Sequence, residues 1–198
     1  MIRGVGQLVS FENHTIARLR AAETARADLL AFARGHSEAV HSIHRAVLQA
    51  LSAADFESMC RGVVAEWPGL LGVDCTVLAL TIGKEGFLID RNGIGHLDAA
   101  ICERVRKGLK GAVMRPVERG HALFGGDSPI IQAEALVPIG GGDGFPRGLL
   151  LLGQCSDVDP GASHGAQLLE FLGEALAAMM RRWMIATTEK IESAQPTA

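Results

Sequence analysis

Residues 135–153 read ALVPIGGGDGFPRGLLLLG, and the interpretation of the chain turns on this stretch. Ala135 to Ile139 and Gly148 to Gly153 are short apolar runs that read as strands. Gly140 to Pro146 between them is rich in glycine and ends in proline, which is turn chemistry. The stretch therefore predicts a central antiparallel hairpin.

Working outward, Val73 to Ile82 (VDCTVLALTI) is β-branched and apolar and predicts another strand. Gly83 to Gly86 makes a turn, and Phe87 to Asp90 returns as its partner. Asp98 to Leu109 predicts a short helix built on Ile101, Val105 and Leu109. Ala112 to Val117 reads as a strand, and Glu118 to Gln132 as irregular, with Gly125, Gly126 and Pro129. After the hairpin, Asp159, Pro160 and Ser163 signal a helix start. Its apolar stripe is Leu168, Leu172, Leu176, Met179 and Trp183, widened by Leu169 and Phe171. Arg181 and Arg182 favour its C-terminal dipole. Upstream, Ser52 or Asp55 caps a helix carrying Phe56, Met59, Cys60, Val63, Val64 and Trp67, ended by Pro68 and Gly69. These elements make one domain over residues 53–187, followed by a polar tail, 188–198, expected to be disordered.

The N-terminal part, residues 1–52, differs in kind. From Leu8 to Leu51 there is no proline, and the one glycine is Gly35. Val9, Glu12, Ile16, Leu19, Glu23, Arg26, Leu30, Ala33, Ser37, Val40, His44, Val47 and Leu51 follow the alternating three-and-four spacing of a coiled-coil seam. Polar Glu23, Arg26, Ser37 and His44 weaken its middle or specify its register. A continuous helix here would be roughly 65 Å long. It either pairs with a second chain or folds back at Gly35, and pairing into a homodimer is the favoured reading.

Composition narrows the function. The 198 residues are 48% hydrophobic and 21% charged, ordinary for a globular protein. A net charge of −3 argues against broad capture of nucleic acid or anionic membrane, and the absence of tyrosine weakens base stacking. No apolar stretch approaches the ~20 residues of a membrane span. Cys60, Cys75, Cys102 and Cys155 never form C-x-x-C, and no signal peptide is visible. They read as buried or free thiols of a cytoplasmic protein, with no metal site.

The runs ALVPI and GLLLLGQCSDVDPGASHGAQLLEFLGEALAAMMRR, with LGVDCTVLAL before them, resemble the strands and closing helix of a GAF domain. Leu123-Phe124-Gly125, Ala135-Leu136-Val137-Pro138 and Gly148 through Gly153 further resemble the bacterial "domain of unknown function 484" family, which is GAF-like. That similarity covers almost the whole chain. It implies an α+β fold, an antiparallel sheet flanked by helices behind a long N-terminal helix, and it implies regulatory behaviour rather than a reaction. Family members often carry Ser-Arg-Asp after the last strand. This chain has Gln154-Cys155-Ser156-Asp157 there, so a role tied to that arginine does not carry over.

Other motifs reduce to bland chemistry. Gly125-Gly126-Asp127 and Gly141-Gly142-Asp143 lack the acidic and aromatic pair of a cyclic-dinucleotide synthase and read as turns. His36, His41 and His44 lack the H-E-x-x-H arrangement and read as histidines on a solvated helix. Gly126 to Ile130 lacks the closing glycine of a nucleophile elbow. No P-loop is present. The irregular segment from Arg115 to Gln132 remains. The resemblance implies a ligand cavity there, lined by Arg115, His121, Phe124, Ser128 and Gln132; the competing reading has the segment covering the sheet with Phe124 as core. The expected function is a non-catalytic sensory or regulatory module without a cofactor, binding a small molecule or a protein partner. The alternatives are a thiol redox enzyme, for which Cys75 and Cys155 lie in or beside strands and Cys155 at a strand exit is the better candidate, and a scaffold protein without a ligand.

Overall fold

A computed structural model describes residues 23–24, 26, 34–140, 144–156 and 164–194, with side chains in the last segment described for 165–185. Most of the expected helix upstream of residue 34 lies outside the described residues. So do Gly141–Asp143, the helix-start signals Asp159 to Ser163, and the last four residues. The chain divides into two compact units, Met1–Val40 and His41–Ala198. In the first, the described residues are helical, Gly35 included.

The second unit opens with helix α1, residues 41–51. It buries Ile43, Ala46 and Ala50 and leaves His44, Leu48 and Leu51 exposed. Helix α2 (Phe56–Ala65) starts at Asp55, whose carboxylate accepts from the Ser58 N–H while the Ser58 hydroxyl accepts from the Asp55 N–H. Pro68 and Gly69 do not end the helical run as expected. Proline is tolerated in a first helical turn, where its missing N–H has no partner to lose, so α3 (Trp67–Leu71) forms around them and ends at Gly72 with φ +70°.

Six strands follow: β1 (Cys75–Ile82), β2 (Glu85–Asp90), β3 (Gly93–Leu97), β4 (Val113–Pro116), β5 (Ala133–Ile139) and β6 (Arg147–Gln154). They form one antiparallel sheet in the order β3-β2-β1-β6-β5-β4. The predicted hairpin is β5–β6, with Val137 opposite Leu150. Strand β3 carries no sequence signal: Gly93 and Gly95 interrupt it and most of it is exposed, as an edge permits. Helix α4 (Ala99–Gly108) sits between β3 and β4, capped by Asp98. It buries Cys102, while Ile101, expected on its core face, is 41% exposed.

β1 and β6 are buried on both faces, which is why they read as continuous apolar runs. On one face Leu78, Leu80, Val137, Leu150 and Leu152 pack under α1, α2, α3 and helix α5 (His164–Ala194). α5 contributes Leu169, Leu172, Leu176, Met179 and Met180 to that core, but Phe171 points outward. α5 also continues to Ala194, so residues 188–194 are helical rather than tail; no proline or glycine interrupts the sequence there. On the other face Val77, Ala79, Leu136, Leu149 and Leu151 pack under α4 and a 3-10 segment, Ala122–Ile130. That segment is the structured part of the stretch read as irregular. It kinks at Gly125, whose φ of +59° favours glycine.

Candidate functional site

Strand register aligns Arg115, Glu134, Gly153 and Cys75 in one row across β4, β5, β6 and β1. Register partners in an antiparallel sheet share a face. This row therefore lies under the 3-10 segment, at the end of the sheet where β6 exits.

One end of the row is ionic. Arg115 donates from Nε and Nη2 to Glu134 Oε1 at 2.9 and 2.7 Å, and the His121 N–H donates to Glu134 Oε2 at 2.7 Å. The Glu134 side chain is 1% exposed, so these donors replace its lost water. His121 in turn accepts the Leu123 N–H at Nδ1, which starts the 3-10 segment. Ser128 closes the loop: its hydroxyl donates to the Gly120 carbonyl at 2.5 Å, and the Gly120 N–H donates to the Ser128 carbonyl at 2.9 Å.

The middle is packed hydrocarbon. Phe124 and Ile131 reach over Gly153; a Cβ there would lie 2.6 Å from Cys75 Sγ and 3.0 Å from Phe124 Cε1. Gly153 is thus the gap that admits the covering segment. The other end carries thiols. Cys75 and Cys155 are half-buried on the same face. The Cys155 N–H donates to Asp74 Oδ2 at 2.6 Å, and Arg91 holds Asp127 of the 3-10 segment at 2.7 Å. Burial first, then the carboxylate of Asp127, push the Cys75 thiol up to about 11. Burial and Asp74 also raise Cys155. Burial alone dominates at Cys60, pushed to about 12, and at Cys102, pushed to about 11. A nucleophilic thiol needs the opposite environment, with cations lowering its pKa. Among the described residues no group of three or more His, Cys, Asp or Glu is placed to hold a metal ion.

Of the five residues expected to line a ligand cavity, Arg115 and His121 meet at Glu134. Phe124 and Ser128 are buried, the first as core and the second bonded to Gly120. The Gln132 side chain is exposed, while its backbone bridges Val117 and Gln154. The residue that organises them, Glu134, was not singled out from sequence. Its signal was a lone carboxylate between Ala133 and Ala135, inside an apolar strand.

The architecture is that of a GAF-like domain. The chain is similar to the nlh2 GAF domain of A. aeolicus in an inactive state (TM-score 0.57, 15% identity, 73% of this chain and 96% of that one). It is similar to the GAF domain of a putative sensor histidine kinase from Pseudomonas syringae pv. tomato (TM-score 0.52, 14% identity, 83% and 99%). It also resembles the chromophore-binding domain of Stigmatella aurantiaca bacteriophytochrome (TM-score 0.50, 18% identity, 71% of this chain), and spans 59% of that structure. At such identities the likeness is one of fold. No protein-family profile matches the chain, and no curated protein sequence matches it.

Proposed function

We propose that this chain is a non-catalytic sensory or regulatory module, that it binds a small molecule or a protein partner, and that it signals through a dimeric N-terminal helix. The observation that carries the proposal is the division of labour on α1. Ile43, Ala46 and Ala50 are spent on the domain core and Val47 packs half-buried against it, while His44 and Leu51 of the same spacing stay exposed. Leu48, 64% exposed, widens that outward stripe. One helix thus touches the domain and keeps a second face for pairing.

The joint between α1 and the domain is polar and specific. Gln49 accepts from Trp67 Nε1 at 3.0 Å and donates to Glu66 at 3.0 Å. Trp67 is fully buried, so moving α1 strands its N–H. A change in domain packing therefore reaches the helix through a joint with one good register. On the other sheet face, Arg115, His121 and Gln132 rim the 3-10 segment and are the surface we assign to ligand or partner contact. Raised thiol pKa values favour this reading over a redox enzyme. The motifs at Leu123-Phe124-Gly125 and Gly148 to Gly153 support placement beside the "domain of unknown function 484" family.

Native mass spectrometry of the full chain purified from its own cells tests the proposal. The expected species is twice the 20.9 kDa chain mass, carrying a small molecule or a stoichiometric partner that is lost on denaturation. A bare monomer would contradict it.

A further inference from the structure

Helix α5 has an outward face that the core does not use. Phe171 is 47% exposed and Ile185 45% exposed, and Glu174, Ala178 and Arg182 between them are exposed as well. Among the described residues neither Glu174 nor Arg182 has an ion-pair partner within its own chain. The five positions are symmetric about Ala178. Phe171 and Ile185 lie at equal distances on either side of it, and so do Glu174 and Arg182. A two-fold axis between antiparallel helices sets each residue opposite the residue at the mirrored position in the second copy. Placed at Ala178, that axis sets Phe171 against Ile185 of the second copy, and Glu174 against its Arg182, twice over. The methyl group of Ala178 at the crossing lets the helices approach closely.

We propose that this face of α5 is a contact between two copies of the chain, antiparallel and centred on Ala178. It is separate from the pairing assigned to the N-terminal helix. The occupant is a second copy because the charges are self-complementary: a parallel pair would set Glu174 against Glu174 and Arg182 against Arg182, which repels. Five side chains from each copy cover less than the ~1,200 Å² of a stable interface, so the contact forms at high concentration or adds to a dimer already held elsewhere.

Disulfide trapping in the full-length chain tests it, with the unsubstituted chain as the control for its native cysteines. A178C is expected to give a covalent dimer under mild oxidation. E174C and R182C alone are expected to give none, and their mixture a mixed dimer. Trapping through A178C should fall about tenfold with Glu174→Arg and return with Glu174→Arg plus Arg182→Glu, since each dyad contains the pair twice. Self-trapping of E174C and R182C would show a parallel pair and overturn the proposal, as would no trapping at Ala178. A dimeric mass without α5 trapping removes this contact and leaves the N-terminal pairing. A monomeric mass at low concentration with α5 trapping does the reverse.

Discussion

Arg115 on β4 grips the buried carboxylate of Glu134 on β5 with two nitrogens, from the residue directly opposite in strand register. The third donor to that carboxylate, the His121 N–H, belongs to the chain leading into the 3-10 segment. One buried charge therefore ties the sheet edge to its cover. Glu134→Ala should lower the unfolding free energy by about 2–4 kcal/mol, since it takes the acceptor from Arg115 and from the half-buried His121 N–H and releases the segment. Arg115→Ala should cost at least as much, because it leaves the buried Glu134 carboxylate with the His121 N–H as its remaining donor. Urea denaturation of both variants checks the order.

Gly153 and Gly148 predict a second ordering. Alanine at Gly153 meets the ends of Ile131, Cys75 and Phe124, which can shift, so overpacking should cost about 1–3 kcal/mol. Alanine at Gly148 meets the Ala79 backbone carbonyl, which cannot shift without breaking the β1–β6 pairing. Thermal melts should show Gly148→Ala the more damaging of the two.

At the helix joint, Gln49→Leu leaves the buried Trp67 N–H without its acceptor. A loss of about 1–3 kcal/mol is expected, with the far-ultraviolet circular dichroism unchanged. A variant as stable as the parent would show that the joint does not hold α1.

The thiols predict a pH dependence. The folded-state pKa of Cys75 is raised from 9.0 to about 11. The stability linked to its protonated form is complete below the unfolded value and is lost as pH rises through the folded one. Unfolding free energy should therefore decline between pH 9.0 and about 11, and Cys75→Ala should remove its share of a decline to which Cys60 and Cys102 also contribute. At about pH 8 the native chain should alkylate slowly, with its thiols reacting fully only in urea.

The hairpin and β1 were legible because both faces of these strands are buried, and their sequences show it as unbroken apolar runs. β3 was not, since an exposed edge strand with two glycines lacks both propensity and pattern. Ile101 and Phe171 were assigned to core faces on helical spacing, but spacing alone does not say where a stripe ends. At the site, Phe124 could be read two ways, and packing around Gly153 makes it core. Glu134 stayed hidden because its partners, Arg115 and His121, are brought to it by strand register and loop path, which residue types do not reveal.

Sedimentation equilibrium of the full chain at low micromolar concentration tests the central claim most directly, run beside a variant with Leu48→Glu and Leu51→Glu. Both leucines are exposed on α1, so the substitutions spare the core. The account predicts twice the 20.9 kDa chain mass for the parent and a single chain mass for the variant. A monomeric parent, or a variant that associates as tightly as the parent, would contradict it.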